Sequence, residues 1–168
     1  PNAARILVAN NTLLNCDSGL RGWLNRSLDL KAGQVEARNN LILDSATGDM
    51  IVAVQGEDGT GQPSREKADQ AGQVWRFGGN WRDLSGASIL IPLAPSDHKL
   101  DASVQLPRNP SLANFLQPPT GSPLAAQGAN DDPSLPSYVG AVPPEGVNVW
   151  AWDRTWRARV QKTADKKQ

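Results

Sequence analysis

Cysteine occurs once in the 168 residues, as Cys16, so the chain forms no internal disulfide and no thiolate zinc site. The redox compartment is therefore left open. No charge of one sign prevails either: 17 basic residues balance 17 acidic ones. A nucleic-acid-binding surface normally brings a basic surplus, and none is present. The mildly basic end, Arg159 to Lys167, reads as a solvated tail. No run approaches the roughly 18 apolar residues of a membrane span, and no charged-then-apolar signal segment opens the chain. The apolar fraction is low, at 39%. Proline and glycine are plentiful instead, at 13 and 15 residues, which implies many turns. The first residue is Pro1 and a strand-like run starts at Ile6, so the expectation is a piece of a longer protein.

Three segments resemble one another: Ile6–Asn15, Val35–Asp44 and Trp75–Asp83. Aligning Asn11 with Asn40 gives an offset of 29, and Asn40 with Asn80 an offset of 40. The alignment places Ile6, Val35 and Trp75 in register, and likewise Val8, Ala37 and Phe77. Alternate residues of a strand share a face, so these six are expected to point inward. Leu7, Glu36 and Arg76 then point outward, with Ala9, Arg38 and Gly78 on the next outward row. Glu36 and Arg76 are expected as a surface ion pair on neighbouring strands, contributing under about 1 kcal/mol.

Each short strand is followed by Asn10-Asn11, Asn39-Asn40 or Gly79-Asn80. Asparagine and glycine tolerate the left-handed backbone that a one-residue corner requires. Stacked Asn11, Asn40 and Asn80 are expected to bond their amides from one strand to the next, as a structural corner ladder. Thr12, Leu41 and Trp81 begin the following strands. Unequal spacing suits a solenoid, whose loops absorb insertions on one side. The gap at residues 17–34 holds Gly19–Leu24, and the gap at 55–72 is polar and glycine-rich, a surface loop. Met50–Val54 is a short apolar strand between them. An antiparallel sandwich is the alternative architecture.

From Ser85 the pattern changes. Ala87–Leu93 reads as one further strand ended by Pro92. Arg108–Leu116, Pro118–Leu124 and Ser137–Pro144 are punctuated by proline and show little periodicity. Such segments cannot bury themselves and should lie along the strands or over their open end. Val147–Asp153 alternates and reads as a closing strand. Trp150, Trp152 and Trp156 offer a sugar-stacking platform or, more ordinarily, an anchor for the terminus.

Few groups here suggest catalysis. The outward rows hold one acid, Glu36, where a glycosidase needs paired carboxylates. Asp131-Asp132 and Glu57-Asp58 lie in loops without cation-ligand spacing. His98, the only histidine, falls in Pro95–Lys99 and reads as a solvated loop residue. Cys16 ends the first repeat and reads as a small packed residue. Ser122 lacks a nucleophile elbow, and Gly56–Gly61 lacks the Lys-Ser/Thr that closes a phosphate loop.

The strand–Asn-Asn–strand units resemble those of right-handed parallel β-helix repeat proteins, the pectate-lyase-like architecture. Phe115-Leu116, Gly121–Ala125 and Tyr138–Pro143 resemble the usual exit from that fold. A narrower likeness lies in Leu135–Val147 with Trp152–Arg159, which looks like the tail of large bacterial proteins. Many of those join a serine/threonine kinase domain to a β-helix. No kinase signature occurs in this sequence, so the resemblance assigns any such activity to an upstream domain.

The expected fold is all-β: the C-terminal coils of a right-handed parallel β-helix over residues 1–93. Residues 94–168 are expected as a proline-rich, largely irregular wrap of the same domain. The expected function is a non-catalytic scaffold or recognition segment of a larger bacterial multidomain protein. Its expected partners are upstream coils and a carbohydrate or protein, with no cofactor, metal, nucleic acid or membrane span. Glu36, Arg38, Arg76, Trp150 and Trp152 are the candidate binding surface. The alternative is the end of a polysaccharide lyase or glycoside hydrolase whose active site lies on upstream coils.

Overall fold

A computed structural model gives the fold, with residues 6–24, 35–54, 75–86 and 91–148 described. Nine short strands lie among them: β1 (Ile6–Ala9), β2 (Thr12–Leu14), β3 (Ser18–Leu24), β4 (Val35–Arg38), β5 (Leu41–Leu43), β6 (Gly48–Val54), β7 (Trp75–Gly78), β8 (Trp81–Arg82) and β9 (His98–Lys99). The one helical element among the described residues is a 3-10 turn, Pro123–Ala125. Everything else described is turn or irregular chain.

The strands form three sheets, ordered β1-β4-β7, β2-β5-β8-β9 and β3-β6. Every pairing is parallel. Ile6, Val35 and Trp75 share one register position, and Val8, Ala37 and Phe77 another. In the second sheet Thr12, Leu41, Trp81 and His98 align. Strands of successive stretches thus lie over one another as tiers: β1–β3, then β4–β6, then β7–β8, then β9.

The corners explain why the tiers keep step. Asn10, Asn39 and Gly79 adopt φ of 53°, 53° and 67°. A single left-handed residue turns the chain from the first sheet into the second, and asparagine and glycine meet the smallest steric penalty there. A second corner repeats the device at Asn15, Asp44 and Leu84, with φ of 54°, 54° and 57°. Backbone bonds continue across these turns, with Leu41 N donating to Asn11 O and Trp81 N to Asn40 O, both at 2.8 Å.

One apolar cluster draws on all three sheets: Ile42, Met50 and Ile91 are buried, with Leu13, Leu20, Trp75 and Phe77 against them. Trp75 and Phe77 stack with ring centroids 5.7 Å apart. The other cluster sits on the opposite face of the second sheet. There Leu41, Leu43 and Trp81 meet Leu116, Leu124 and Val139 from the proline-rich segment. Each such side chain stabilises the fold by roughly 1.5–3 kcal/mol when fully buried. The irregular segment therefore supplies half of a core that it could not build alone.

Gly19–Leu24, expected within a loop gap, belongs instead to β3 and pairs residue by residue with β6. A Cβ on Gly19 would lie 2.2 Å from Asp49 O, so the strands' closeness requires glycine there. The residue that weakens the strand signal is the one that permits the strand. Of the expected strand Ala87–Leu93, residues 87–90 lie outside the described residues; Ile91 is buried. The expected closing strand over 147–153 lies outside them from residue 149 onward.

Candidate functional site

Each corner dipeptide divides its side chains between two tasks. The second residues, Asn11, Asn40 and Asn80, hydrogen-bond to one another in a column. Asn11 N and Nδ2 donate to Asn40 Oδ1 at 3.1 and 2.9 Å. Asn40 N and Nδ2 donate to Asn80 Oδ1 at 3.1 and 2.8 Å. The remaining amide hydrogens of Asn40 and Asn80 reach back to Val8 O and Ala37 O, at 3.0 and 2.8 Å. Asn40 and Asn80 are fully buried, so each would cost free energy without these partners.

The column has a fourth member that the sequence pattern concealed. Asn80 N and Nδ2 both donate to Asp97 Oδ1 at 3.0 Å. Asp97 only accepts in this position, while its other oxygen, Oδ2, is buried without a partner among the described residues. Burial pushes the Asp97 carboxyl above the ordinary aspartate range, against the Asn80 hydrogen bonds and the nearby Arg82 charge. His98, expected in a solvated loop, instead lies in β9 and stacks on Trp81 at 4.7 Å. An aspartate at the asparagine position and a spacing of 17 residues after Asn80 hide this tier.

The first residues of the corners face the irregular segment. Asn10 Nδ2 donates to Tyr138 O at 2.6 Å. Asn39 Nδ2 donates to Ala129 O and Pro136 O at 3.1 Å each, while its Oδ1 accepts from Ala129 N at 2.6 Å. Gly79 has no side chain because a Cβ would lie 2.5 Å from both Ala129 N and Asn39 Oδ1. Thr12 adds an acceptor for Ala141 N at 2.9 Å. These clamps span about 90 to 130 residues of sequence, beyond the reach of any local pattern.

Glu36 and Arg38, expected on an open outer surface, are both buried, at 3% and 6% exposure. Arg38 Nε lies 3.0 Å from Glu36 Oε2 as an ion pair without hydrogen-bond alignment. The other two guanidinium nitrogens grip Asp131 in a two-point contact, at 2.5 and 2.9 Å. Arg38 holds the Asp131 carboxyl below the usual aspartate range. The burial of Arg38 has a simple cause: residue 131 returns to the outer row and occupies the cation there. Arg76, in register with Glu36, is exposed. Trp150 and Trp152 lie outside the described residues.

A second charge pair lies inside the fold. Arg82 and Asp49 are both fully buried. Arg82 Nε and Nη2 donate to the two Asp49 oxygens at 2.6 and 2.9 Å. Two further N–H groups of Arg82 reach Ile91 O and Pro92 O at 2.8 and 3.2 Å. Through these four bonds the pair ties β8, β6 and the chain after Ser85 together. It has no access to a substrate.

Other chemistry is sparse. No group of three or more metal-capable side chains occurs among the described residues. Cys16 is half-buried, with Sγ 3.6 Å from Leu14 O. A cleft of about 400 Å³ is lined in part by Gln105, Asn114, Gln117, Pro118 and Glu145. Glu145 is the only carboxylate among its described lining residues, and glycoside hydrolysis ordinarily uses two. No helix among the described residues is long and apolar enough to cross a membrane. No family model, curated protein or solved structure matches this chain.

Proposed function

We propose that this chain forms C-terminal coils of a right-handed parallel β-helix and works as a non-catalytic scaffold or recognition segment. The larger protein would be bacterial and multidomain, of the kind that joins such a helix to a serine/threonine kinase domain. The observation that carries the reading is the stacking of successive stretches in three parallel sheets with side chains from all three in one cluster. Winding a chain round a common axis produces that order, whereas a sandwich would bring antiparallel pairings.

The non-catalytic part rests on how the charges are used. Glu36, Arg38, Asp49, Arg82 and Asp131 are all engaged in ion pairs. Asp97 terminates a structural column. Recognition of a carbohydrate or protein would then fall to Arg76 and the loops, not to the Glu36–Arg38 row. The test is to assay the purified 168-residue chain for polysaccharide cleavage and for binding on glycan and protein arrays. Binding without cleavage is expected. Cleavage by this chain alone would overturn the proposal.

A further inference from the structure

The proline-rich segment covers the second sheet and also walls the cleft of about 400 Å³ beside Glu145. That volume falls within the roughly 300–1,000 Å³ of small-ligand sites. Pro107, Pro118 and Pro119 line it, and their rings fix φ, so this wall is set before any ligand arrives. Backbone bonds hold the walls to one another. Leu116 N donates to Pro107 O at 2.8 Å, Gln117 N to Asn114 O at 2.9 Å, and Glu145 N to Pro118 O at 3.2 Å. Leu116 is buried in the apolar cluster over the second sheet, which anchors the cleft to the strands.

The polar lining is rich in acceptors. Gln117 Nε2 donates to Pro143 O at 3.3 Å, which leaves its Oε1 to accept. Glu145 Oε2 takes the Thr120 hydroxyl at 3.3 Å, and Oε1 has no partner among the described residues. The side-chain amides of Gln105 and Asn114 have none there either, and each brings a further carbonyl oxygen. Glu145 carries the only charge among the described lining residues, and it is negative. An anion would meet that carboxylate with no cation to offset it. A donor-only cation finds a carboxylate and amide oxygens, the partners it needs. The apolar lining, Leu106 and the proline rings, suits an aliphatic stem, since Lys and Arg stems lie along apolar surface with the head in water.

We infer that this cleft binds a basic side chain of a partner protein, an ammonium or guanidinium on its aliphatic stem. The inference rests on the recognition reading above and narrows the partner to one that presents such a residue. The charged head pairs with Glu145 and Gln117 Oε1, and the stem lies over the prolines. A neutral ligand forgoes the attraction of the carboxylate.

The probes are Nα-acetyl-arginine amide and Nα-acetyl-lysine amide, whose only charge is the side chain, titrated into the ¹⁵N-labelled 168-residue chain. Nα-acetyl-citrulline amide has nearly the shape of the arginine probe without its charge and serves as the control. Saturable shifts are expected at the side-chain amides of Gln105, Asn114 and Gln117 with either cation, and not with the control. Glu145→Gln removes the charge from an exposed side chain and should weaken binding about five-fold, as for an exposed ion pair. Added salt should weaken binding to the wild-type chain more than to the variant. No response to either cation, equal shifts with the citrulline amide, shifts outside the cleft, or unchanged affinity in Glu145→Gln would overturn the inference. Saturation of the cleft by maltose, a neutral disaccharide, in place of the cations would do the same. Arrays separate the two levels. Wild-type binding to arrayed proteins that Glu145→Gln leaves intact sinks the inference and keeps the recognition reading. No wild-type binding on glycan or protein arrays counts against both.

Discussion

Replacing Arg82 with methionine tests whether the interior is organised round a charge pair. The substitution keeps most of the aliphatic volume and removes four donated bonds, two to Asp49 and one each to Ile91 O and Pro92 O. Asp49 would keep the Met50 N–H at 2.7 Å and lose its counter-charge inside a fully buried site. Breaking one side of such a pair costs about 3–5 kcal/mol, because a buried charge is left uncompensated. A domain of this size is stable by roughly 5–15 kcal/mol, so the loss is a large share of the total. Urea unfolding followed by tryptophan fluorescence should show a lower midpoint with an unchanged slope. Asp49→Leu with Arg82→Met should recover much of the loss, since apolar replacement of a whole pair is often close to neutral. A single-variant cost below about 1 kcal/mol, or simple additivity in the double-mutant cycle, would refute the reasoning.

Further substitutions probe the corners and their acid terminus. Asn40→Ala removes a fully buried amide bonded to two tiers and should cost about 2–4 kcal/mol in the same assay; Asn11→Ala, at the open end, should cost under about half as much. Gly79→Ala combines a left-handed backbone with a 2.5 Å clash and should cost roughly 2–4 kcal/mol, whereas Gly121→Ala, with φ of 82° and open space, should cost only about 1 kcal/mol. Asp97 has its folded carboxyl raised by burial, so its contribution is most favourable below the unfolded value of 3.8 and is lost as pH rises through the folded value. Relative to Asp97→Asn, the wild-type chain should therefore lose stability as pH climbs from 3.8 through the folded value and level off beyond it, measured by urea unfolding at a series of pH values. A difference that stays flat with pH would remove burial as the cause.

Register was legible in the sequence because it is written in short words. Asn10-Asn11, Asn39-Asn40 and Gly79-Asn80 mark the corners directly, and the strands before them alternate. The fourth tier was not legible, since Asp97 substitutes for asparagine and its spacing departs from the earlier offsets. β3 was lost to its glycines, of which Gly19 lacks a side chain where the backbone closes on Asp49 O. The candidate surface was read from alternation alone, which locates Glu36 and Arg38 on a face but not what lies over it. Asp131 lies 93 residues from Arg38, and no periodicity connects the two. Arg82 occupies a core position in register with Ile42, a charge where the pattern expects an aliphatic; only its partner 33 residues earlier accounts for it.

The chain between β3 and β4 is ten residues long, and that between β6 and β7 is twenty, yet the strands on either side stay in register. Stepping from one tier to the next is thus indifferent to how much chain is spent on the return. New sequence inserted there would leave the pairing geometry intact, while a single added residue at a corner would throw every following side chain to the wrong face. Growth and diversification of such a protein are accordingly channelled to one side, with the asparagine corners held to a fixed length.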